Sequence, residues 1–495
     1  MKKELSRNRL NWHFRNLMPA NINLSKNMNS IHKKSYVIIG FCILALTACV
    51  TKKYERPALN SNGLYRDNAG TDTTTIADLP WKTLFADQTL QTLIQQGLNE
   101  NLDLKQAIER IKIAEAALQQ SKAAFLPSLS GDLSVTDAKQ SKAALNFPPG
   151  VNINTETQTY RAQLSTSWEA DIWGKLSSSK RAAYASLLQT DAAKTAVQTQ
   201  LIANIANIYY NLLALDKQLA ITEQTVSIRE KDVETMKSLK EGAVVNGAAV
   251  VQSEANLYAA QVTIPDLKRS IREGENALSI LLGKGPGSIE RSNLDTQTPY
   301  SSLQTGVSAQ LLQNRPDVQA AEFAFRAAFE NKNVAKTYFY PALTLTANGG
   351  LSSLDVKNFF DNSIFYNLIG GLTQPIFNKG QNKARLRTAE AQQQQAFYSF
   401  QQTLLIGGQE VSNALFAYQT AAEKEATRAK QIAALTKAVD FTKELLRYSS
   451  ATNYTDVLTS EQSLLAAQLS SINDRLQKLQ AIVNLYRALG GGSKN

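Results

Sequence analysis

The chain contains one pattern twice. Short identical or similar segments in its two halves are separated by 204 to 214 residues. The matched segments are Asn101-Leu102-Asp103 with Arg315-Pro316-Asp317, Pro127 with Pro341, Ile172-Trp173 with Ile376-Phe377, Leu201-Ile202 with Leu405-Ile406, and Ser253-Glu254 with Ser460-Glu461. A repeat of about 200 residues is much longer than the roughly 20 to 50 residues of a solenoid unit. The sequence therefore predicts two large units with similar folds.

The N-terminal segment is typical of a bacterial lipoprotein signal. Lysines at 33 and 34 precede an apolar run from 36 to 46, which leads into Leu46-Thr47-Ala48-Cys49. A basic region, a short apolar region and small residues before a cysteine are the parts of such a signal. The run is too short for a membrane-spanning helix, which needs about 20 residues. We expect removal of residues 1–48 and lipid attachment to Cys49; an ordinary signal peptide with an incidental cysteine is the alternative.

Loss of that segment would limit the available chemistry. Both histidines, His13 and His32, and one of the two cysteines, Cys42, precede Cys49. Histidine acid/base catalysis, Cys-His nucleophiles, Cys/His zinc sites and structural disulfides are therefore excluded from the mature chain. The sequence has no phosphate-binding glycine loop and no nucleophile elbow. We expect no enzyme activity, no cofactor and no metal site, with a carboxylate-based hydrolase as the one enzymatic alternative.

The basic charge of the chain comes mostly from the signal segment. The full sequence has a net charge of +11, whereas residues 49–495 hold 45 basic and 41 acidic residues, a net charge of +4. No basic cluster with interleaved aromatic residues remains in the mature chain. The sequence therefore does not favour nucleic-acid binding.

Both copies end in long helical segments. Residues 177–241 contain no Gly or Pro, and as one helix they would extend about 100 Å. Their apolar residues follow heptad spacing with polar interruptions, which is typical of a coiled coil. The segment from Gly242 to Gly247 ends this helix, and a kink is expected in the returning helix at Pro265. We predict helical hairpins over 177–283 and 381–490, with tips near 242–247 and 449–454.

Segments between the helices alternate with a period of two. Residues 158–172 place apolar and polar side chains on opposite faces, which is typical of a β-strand. Residues 128–137 provide its partner, and 342–352 with 364–374 form the corresponding pair in the second copy. Aromatic residues lie at the same end of all four strands: Phe125, Trp173, Tyr340 and Phe377. An apolar outer face, a polar inner face and an aromatic girdle indicate an outer-membrane barrel; a half-buried sheet in a soluble domain is the alternative.

Four strands are too few for a closed barrel. A lipid-exposed sheet edge would leave backbone groups without hydrogen bonds, so only closed barrels are stable in a bilayer. Bacterial barrels begin at about 8 strands. We therefore predict that several copies contribute strands to one barrel and hairpins to one helical tube. This argument does not choose between a dimer, a trimer and a higher oligomer.

The mature chain resembles the TolC-like outer-membrane efflux channels, in particular the lipoprotein branch that serves RND pumps. The motifs are Tyr54-Glu55-Arg56-Pro57, Asn314-Arg315-Pro316-Asp317, and the segments 168–175 and 447–458. The resemblance implies an α+β membrane protein in which three chains with four strands each form a 12-stranded β-barrel continued by a long α-helical barrel. It also implies an outer-membrane position with an anchor at Cys49. The implied partners are two further copies, a periplasmic adaptor, an inner-membrane RND transporter and outer-membrane lipids.

The repeats and the resemblance together predict a division of the chain. Residues 1–48 form the signal segment, and 49–100 form an N-terminal extension with a first helix. Residues 101–299 form the first repeat and 300–495 the second. Inside the second repeat, Gly407-Gly408 interrupts a helical segment and predicts a close approach of two helices there or a local bend.

The resemblance places a periplasmic gate at the hairpin tips. The gate residues that it implies are Tyr448, Thr452, Asn453, Tyr454 and Asp456. The usual turn glycine is replaced by Ala451, and the acidic residue that often rings the constriction aligns with Thr452, so an aspartate gate is not expected there. Asp456 either forms a cation-attracting ring or caps the returning helix. Gly242 and Gly247 are expected to serve the backbone turn of the first hairpin, with the adaptor docking at these tips.

The leading functional hypothesis is a passive exit duct for small amphiphilic compounds. Metal-ion efflux or protein secretion would use the same architecture. A lipid-anchored periplasmic coiled-coil scaffold without a pore is the alternative from a different class.

Overall fold

The computed structural model describes residues 51–59, 63–66, 73–145, 150, 154–300, 303, 305–306, 310–448 and 454–493. The predicted signal segment 1–48, the predicted lipid site Cys49 and the predicted gate residues Thr452 and Asn453 lie outside these residues. The predictions for them stay predictions.

Helices make up most of the described chain. Shorter helices precede the strands in each copy, and long helices follow them. The helices are α1 Trp81–Leu84, α2 Gln88–Glu100, α3 Leu102–Ala123, α4 Lys175–Glu241, α5 Gly247–Gln261, α6 Thr263–Leu281, α7 Leu311–Asn314, α8 Pro316–Thr337, α9 Gln381–Tyr448 and α10 Tyr454–Ala488.

Each copy ends in a pair of long helices. In the first copy, α4 has 67 residues, which corresponds to about 100 Å, and α5 and α6 return along it. In the second copy, α9 and α10 have 68 and 35 residues. The two pairs contact each other through α4 and α10. One chain therefore supplies two adjacent helical hairpins.

The returning helix of the first hairpin is interrupted at Val262, between α5 and α6. The expected kink at Pro265 is thus wrong by three residues. Pro265 lacks the N–H that would bond to the carbonyl of Gln261, so the regular helix ends before the proline. Within the first turn of α6 a proline removes no intrahelical hydrogen bond, because those N–H groups have no helical acceptor.

The strands form one antiparallel sheet in the order β1-β2-β3-β4. Their bounds are β1 Ser128–Lys139, β2 Glu156–Ala170, β3 Ala342–Ser353 and β4 Ile364–Thr373. The predicted strand over 158–172 extends two residues too far, because Asp171 lies between β2 and α4 and its side chain caps the helix. Its carboxylate accepts the backbone N–H groups of Leu176 and Ser177, at 2.8 Å each. It thereby serves helix N–H groups that have no other acceptor in the helix.

The register gives the sheet one apolar face and one polar face. Three cross-strand rows of the apolar face are Leu133–Ala162–Leu351–Ile364, Gly131–Leu164–Gly349–Tyr366 and Leu129–Thr166–Ala347–Leu368. A row of the other face is Ser130–Ser165–Asn348–Asn367. Within one chain the apolar face is open, with Leu133 84% exposed and Ile364 81% exposed. The alternation that the sequence predicted for the four strands is therefore present.

The main hydrophobic core lies along the middle of α4 and α9, far from the hairpin tips, at the level where α6 and α10 end. This central core combines residues of both copies with the segment before α3, and its fully buried members include Leu90, Tyr209, Leu212, Leu278, Phe400 and Leu485. Arg315, 3% exposed, lies beside it. Its guanidinium group donates to Asp317, to Glu410 and to the carbonyl of Ala488. The buried charge is thus paired on several sides.

The two glycines inside α9 mark a close approach, but not of two helices. A Cβ atom on Gly408 would lie 2.9 Å from the backbone oxygen of Leu64, and one on Gly407 would lie 3.3 Å from Nε of Arg315. The expected close approach of two helices is therefore wrong at these glycines, because their neighbours are the N-terminal segment and a buried arginine.

Candidate functional site

The hairpin tips have a small hydrophobic core of their own. This tip core consists of Met236 on α4, Val250 on α5, and Tyr454, Val457 and Leu458 on α10. It joins the first hairpin to the second within one chain. The Tyr454 hydroxyl donates to Ser253 Oγ of α5 at 2.7 Å, in a buried position. Of the predicted gate residues, Tyr454 is thus part of the contact between the hairpins.

Tyr448 and Asp456 lie at the surface of one chain. Tyr448 is the last residue of α9 and is 85% exposed. Asp456 is in the first turn of α10, where a negative charge is favoured by the helix dipole. Both side chains can therefore face other copies or the lumen of an assembled tube.

The first tip turns at Ala243 and not at a glycine. Gly242 has a φ of −76° and Gly247 is the first residue of α5, whereas Ala243 has a φ of 58°. A Cβ atom on Gly242 or Gly247 would meet its nearest neighbour at 3.7 or 4.0 Å, which is ordinary contact. The expectation that these two glycines serve the turn through their backbone freedom is therefore wrong. Asn246 instead caps α5 by accepting the N–H of Ala249.

A polar layer lies next to the tip core, on the side of the central core. It consists of Arg229 and Asp232 on α4, Asn256 on α5, Lys443 on α9 and Glu461 on α10. The Arg229 guanidinium donates to the carbonyl of Asn256, and Lys443 Nζ lies 2.5 Å from Glu461 Oε1. The sequence reasoning missed this layer, although the repeated Ser-Glu pairs at 253–254 and 460–461 pointed to the same level of both hairpins.

The carboxyl group of Asp232 faces that of Glu461 across the two hairpins. Burial, together with the negative charge of Glu461, raises the pKa of Asp232 to about 6, although Lys443 and Arg229 oppose the shift. Burial also raises the pKa of Tyr454. The layer thus contains a carboxyl group that changes its charge near neutral pH.

The predicted interface aromatics lie where the strands meet the helices. Trp173 Nε1 donates to the carbonyl of Pro341 at 2.7 Å, and the Trp173 and Tyr340 rings are 5.0 Å apart. The Phe125 carbonyl accepts a hydrogen bond from Trp168 Nε1. Phe377 is 84% exposed. Their placement at a lipid–water interface stays a prediction.

Among the described residues, no helix is both long enough and apolar enough to cross a bilayer. Over the same residues, no group of three or more His, Cys, Asp or Glu side chains is placed to hold a metal ion. The arrangement is instead a two-faced sheet joined to long paired helices whose tips carry a small mixed core.

A family model described as "Outer membrane efflux protein" matches residues 93–284 and 307–491 of the chain. The chain belongs to the outer membrane efflux protein family. The two matched stretches lie on either side of residue 300, where the first predicted repeat gives way to the second.

Individual members of the family are similar over most of the chain. The cation efflux system protein CusC of Escherichia coli O157:H7 is 29% identical over 473 residues, which are 92% of this chain and 98% of CusC. The probable efflux pump outer membrane protein TtgC of Pseudomonas putida is 29% identical over 425 residues, 84% of this chain and 86% of TtgC. The open-state structure of the Neisseria gonorrhoeae MtrE outer membrane channel superposes with a TM-score of 0.79 at 26% identity, covering 90% of this chain and 98% of MtrE.

Membership in the outer membrane efflux protein family confirms the predicted fold class and general role. The protein is an outer-membrane channel and not an enzyme. Three copies, each with a four-stranded sheet, form the barrel and its helical continuation. The channel works with a periplasmic adaptor and an inner-membrane RND transporter in a tripartite efflux system. The alternative of a lipid-anchored periplasmic coiled-coil scaffold without a pore is therefore set aside.

Proposed function

We propose that this channel is a passive exit duct for small amphiphilic compounds, which the adaptor and the transporter deliver to its periplasmic end. The observation that carries the proposal is the polar face of the sheet, with rows such as Ser130–Ser165–Asn348–Asn367. On the inside of a barrel these side chains offer hydrogen bonds without a fixed ligand site. Such a wall suits transit of varied solutes better than tight binding of one.

The helical hairpins support transit across the periplasm. At about 1.5 Å per residue, α4 and α9 are each about 100 Å long. A ring of such hairpins from three chains encloses a tube that continues the barrel. No energy source is needed within this tube, because the inner-membrane transporter provides the driving force.

Closure of this tube would occur at the hairpin tips. Tyr448 is exposed at the end of α9, and Asp456 is exposed at the start of α10. In a three-fold assembly, each of them occurs three times around the axis. We assign Tyr448, Thr452, Asn453 and Asp456 to the constriction, and Tyr454 to the contact that holds the two hairpins of one chain together.

Metal-ion efflux is the second candidate cargo, and the similarity to CusC favours it. The residue inventory favours amphiphiles instead. The sequence has four methionines, of which only Met236 follows Cys49, and Met236 is buried in the tip core. Soft thioether and imidazole ligands for copper or silver are therefore almost absent from a mature channel.

The two candidate cargoes can be distinguished by the drug and metal sensitivity of a strain that lacks this channel. We expect its sensitivity to dyes, detergents and lipophilic antibiotics to rise and its sensitivity to copper and silver salts to stay at the level of the parent strain. The wild-type gene should restore resistance. If the sensitivity rose for the metal salts alone, the cargo of the channel would be metal cations. Conductance of the purified trimer in a planar bilayer tests the pore itself.

The lipid-facing side of the sheet can be tested separately with two neighbouring residues. Leu164 is on the apolar face and Gln163 on the polar face of β2. Leu164→Arg should cost about 2–4 kcal/mol per chain in the bilayer and should abolish folded trimer in the outer membrane. Gln163→Arg should assemble normally and change only the ion selectivity. Equal assembly of the two variants would contradict the assignment of the faces.

A further inference from the structure

The polar layer next to the tip core is asymmetric between the two copies. Each hairpin has a lysine–glutamate bridge at the same level: Lys237 lies 3.7 Å from Glu254, and Lys443 lies 2.5 Å from Glu461. The two lysines are 206 positions apart. At that offset, Arg229 and Asp232 correspond to Leu435 and Ala438. The first copy therefore adds an arginine and an aspartate that the second copy lacks.

The added aspartate meets the glutamate of the other hairpin. Asp232 on α4 interacts with Glu461 on α10 across the two hairpins. Asp232 Oδ2 is buried, and the Glu461 side chain is only 12% exposed. When both groups are ionised, Asp232 Oδ2 is buried and has no donor among the described residues. Two carboxylates in such a place repel each other, whereas one shared proton forms a hydrogen bond between them.

Nearby charges do not remove this repulsion completely. Lys443 is the cation of the pair on α9, but it is shared with the ion pair to Glu461. Arg229, on the same helix as Asp232, directs its guanidinium to the carbonyl of Asn256. From α5 the layer receives the neutral side chains of Asn256 and Ser253, while Glu254 is paired with Lys237. From α10 come Glu461 and Tyr454, whose hydroxyl donates to Ser253.

The position of the pair suits control of the tips. Asp232 lies about 14 Å before the end of α4 at 1.5 Å per residue, and Glu461 about 10 Å after the start of α10. A cavity of about 120 Å³, lined by Arg229, Lys443 and Glu461 together with apolar residues of α4 and α10, lies at the same level. Water can enter there when the carboxyl groups separate.

We infer that Asp232 and Glu461 form a proton-binding site that holds the two hairpins of one chain together when it is protonated and loosens them when it loses its proton. This rests on the channel role proposed above and adds a regulator to it. A proton taken from the solvent converts Asp232 into a donor to Glu461, so acid strengthens the contact. Loss of that proton leaves two half-buried negative charges between α4 and α10, so the tips separate more readily.

The direction of the pH response of this contact follows from the pKa of Asp232. That pKa is about 6 in the folded channel and 3.8 for an ordinary aspartate. The contact is therefore strongest below about pH 4, weakens between about pH 4 and 6, and is weakest above pH 6. A shift of about 2 units corresponds to a change of up to about 100-fold in the equilibrium between closed and loosened tips. We expect about tenfold between pH 5 and 7.5, because this range covers only the upper part of the titration.

The test uses the purified trimer in planar bilayers, with the pH varied on the side of the hairpin tips. In the wild type, the open probability should rise about tenfold from about pH 5 to about pH 7.5. In Asp232→Asn, whose amide can donate to Glu461 at every pH, it should stay at the acid level. Glu461→Gln should also remove the response. The control is Glu230→Gln on the exposed side of α4, which should keep the wild-type response.

Hydrogen exchange of the same proteins gives a readout independent of conduction. After correction for the intrinsic rates, protection of residues 229–241 and 454–465 should fall about tenfold between the two pH values in the wild type and Glu230→Gln, but not in Asp232→Asn. An unchanged pH response in Asp232→Asn, or wild-type protection that does not depend on pH, would overturn the inference. A wild-type trimer that never conducts would contradict the duct, and the exchange experiment would still decide about the proton site.

Discussion

The central core lies along the middle of α4 and α9, the tip core lies near the hairpin tips, and the two are built differently. The central core combines both copies with the segment before α3, and it surrounds Arg315 with three acceptors. Among the described residues, the tip core has five buried members and borders a polar layer with two carboxyl groups. The middle of the long helices is thus held by a large core, whereas the described part of the tips is held by a small one. Low local stability at a moving element is what gating requires.

The largest expected effect concerns the central core. Arg315→Met removes the buried cation from Asp317 and from the Ala488 carbonyl and leaves Glu410 with Arg487 alone; it should lower the free energy of unfolding by about 3–5 kcal/mol. The control is Arg56→Met, because Arg56 pairs with Glu322 at 2.5 Å but is 44% exposed; its cost should stay below about 1 kcal/mol. Thermal unfolding of the two purified trimers measures the difference. Similar melting temperatures would mean that Arg315 is not central to the core.

A matched pair of leucines compares the two cores directly. Leu485 in the central core is 0% exposed and Leu458 in the tip core is 6% exposed. Alanine at Leu485 should cost about 3–4 kcal/mol and reduce the yield of trimer, while alanine at Leu458 should cost about 2 kcal/mol, because the open tip can relax around the cavity. Only the tip variant should raise the open probability. A higher open probability in Leu485→Ala would show that the two cores are not independent.

The hydroxyl contact between the hairpins should have an intermediate effect. Tyr454→Phe and Ser253→Ala each remove the bond from Tyr454 to Ser253, at about 1 kcal/mol. Each should raise the open probability about fivefold, since that free energy corresponds to about this factor. The double variant should add little to either single one, with a coupling energy of about 1 kcal/mol. Additive single effects would mean that the bond does not link the hairpins.

The smallest effect concerns the first tip turn. Ala243→Gly should stabilise the turn by up to about 1 kcal/mol, because the φ of 58° at this residue costs an L-residue more than glycine's extra entropy. Gly242→Ala should change stability by less than about 0.5 kcal/mol. Hydrogen exchange of residues 238–250 measures both. If Gly242→Ala were the more damaging variant, the turn geometry described above would be wrong.

The sequence predicted the helices and strands better than their ends and their contacts. The alternation in β2 was readable because Leu164 and its neighbours repeat every second residue, whatever the rest of the chain does. The strand end was misplaced because Asp171 continues the alternation while its side chain already caps α4. Similarly, Pro265 indicated an interruption of the helix, but the interruption lies at Val262, because the missing N–H of Pro265 would bond to a carbonyl four residues earlier. Local patterns place elements well and place their ends less well.

The contacts at the hairpin tips could hardly be predicted from the sequence. Tyr454 was predicted for the gate from the resemblance, but its partner Ser253 is 201 residues away. No sequence pattern distinguishes Asp232, because an aspartate in a charged helix is usually solvated. Its pKa is raised because the side chain is half-buried and because α10 places Glu461 beside it. The repeated Ser-Glu pairs were the one signal in the sequence that indicated this level of the hairpins.

The amino-acid sequence alone determined the duplication, the long uninterrupted helices and the two-faced strands, because periodicity and the spacing of glycine and proline act over a few residues. Tertiary structure decided that Arg315 pairs with Glu410, and that Asp232 faces Glu461. The physical reason is that a helical repeat leaves open both the rotation of a helix about its axis and its sliding along a neighbour. Those two variables are set only when the central core and the tip core are complete.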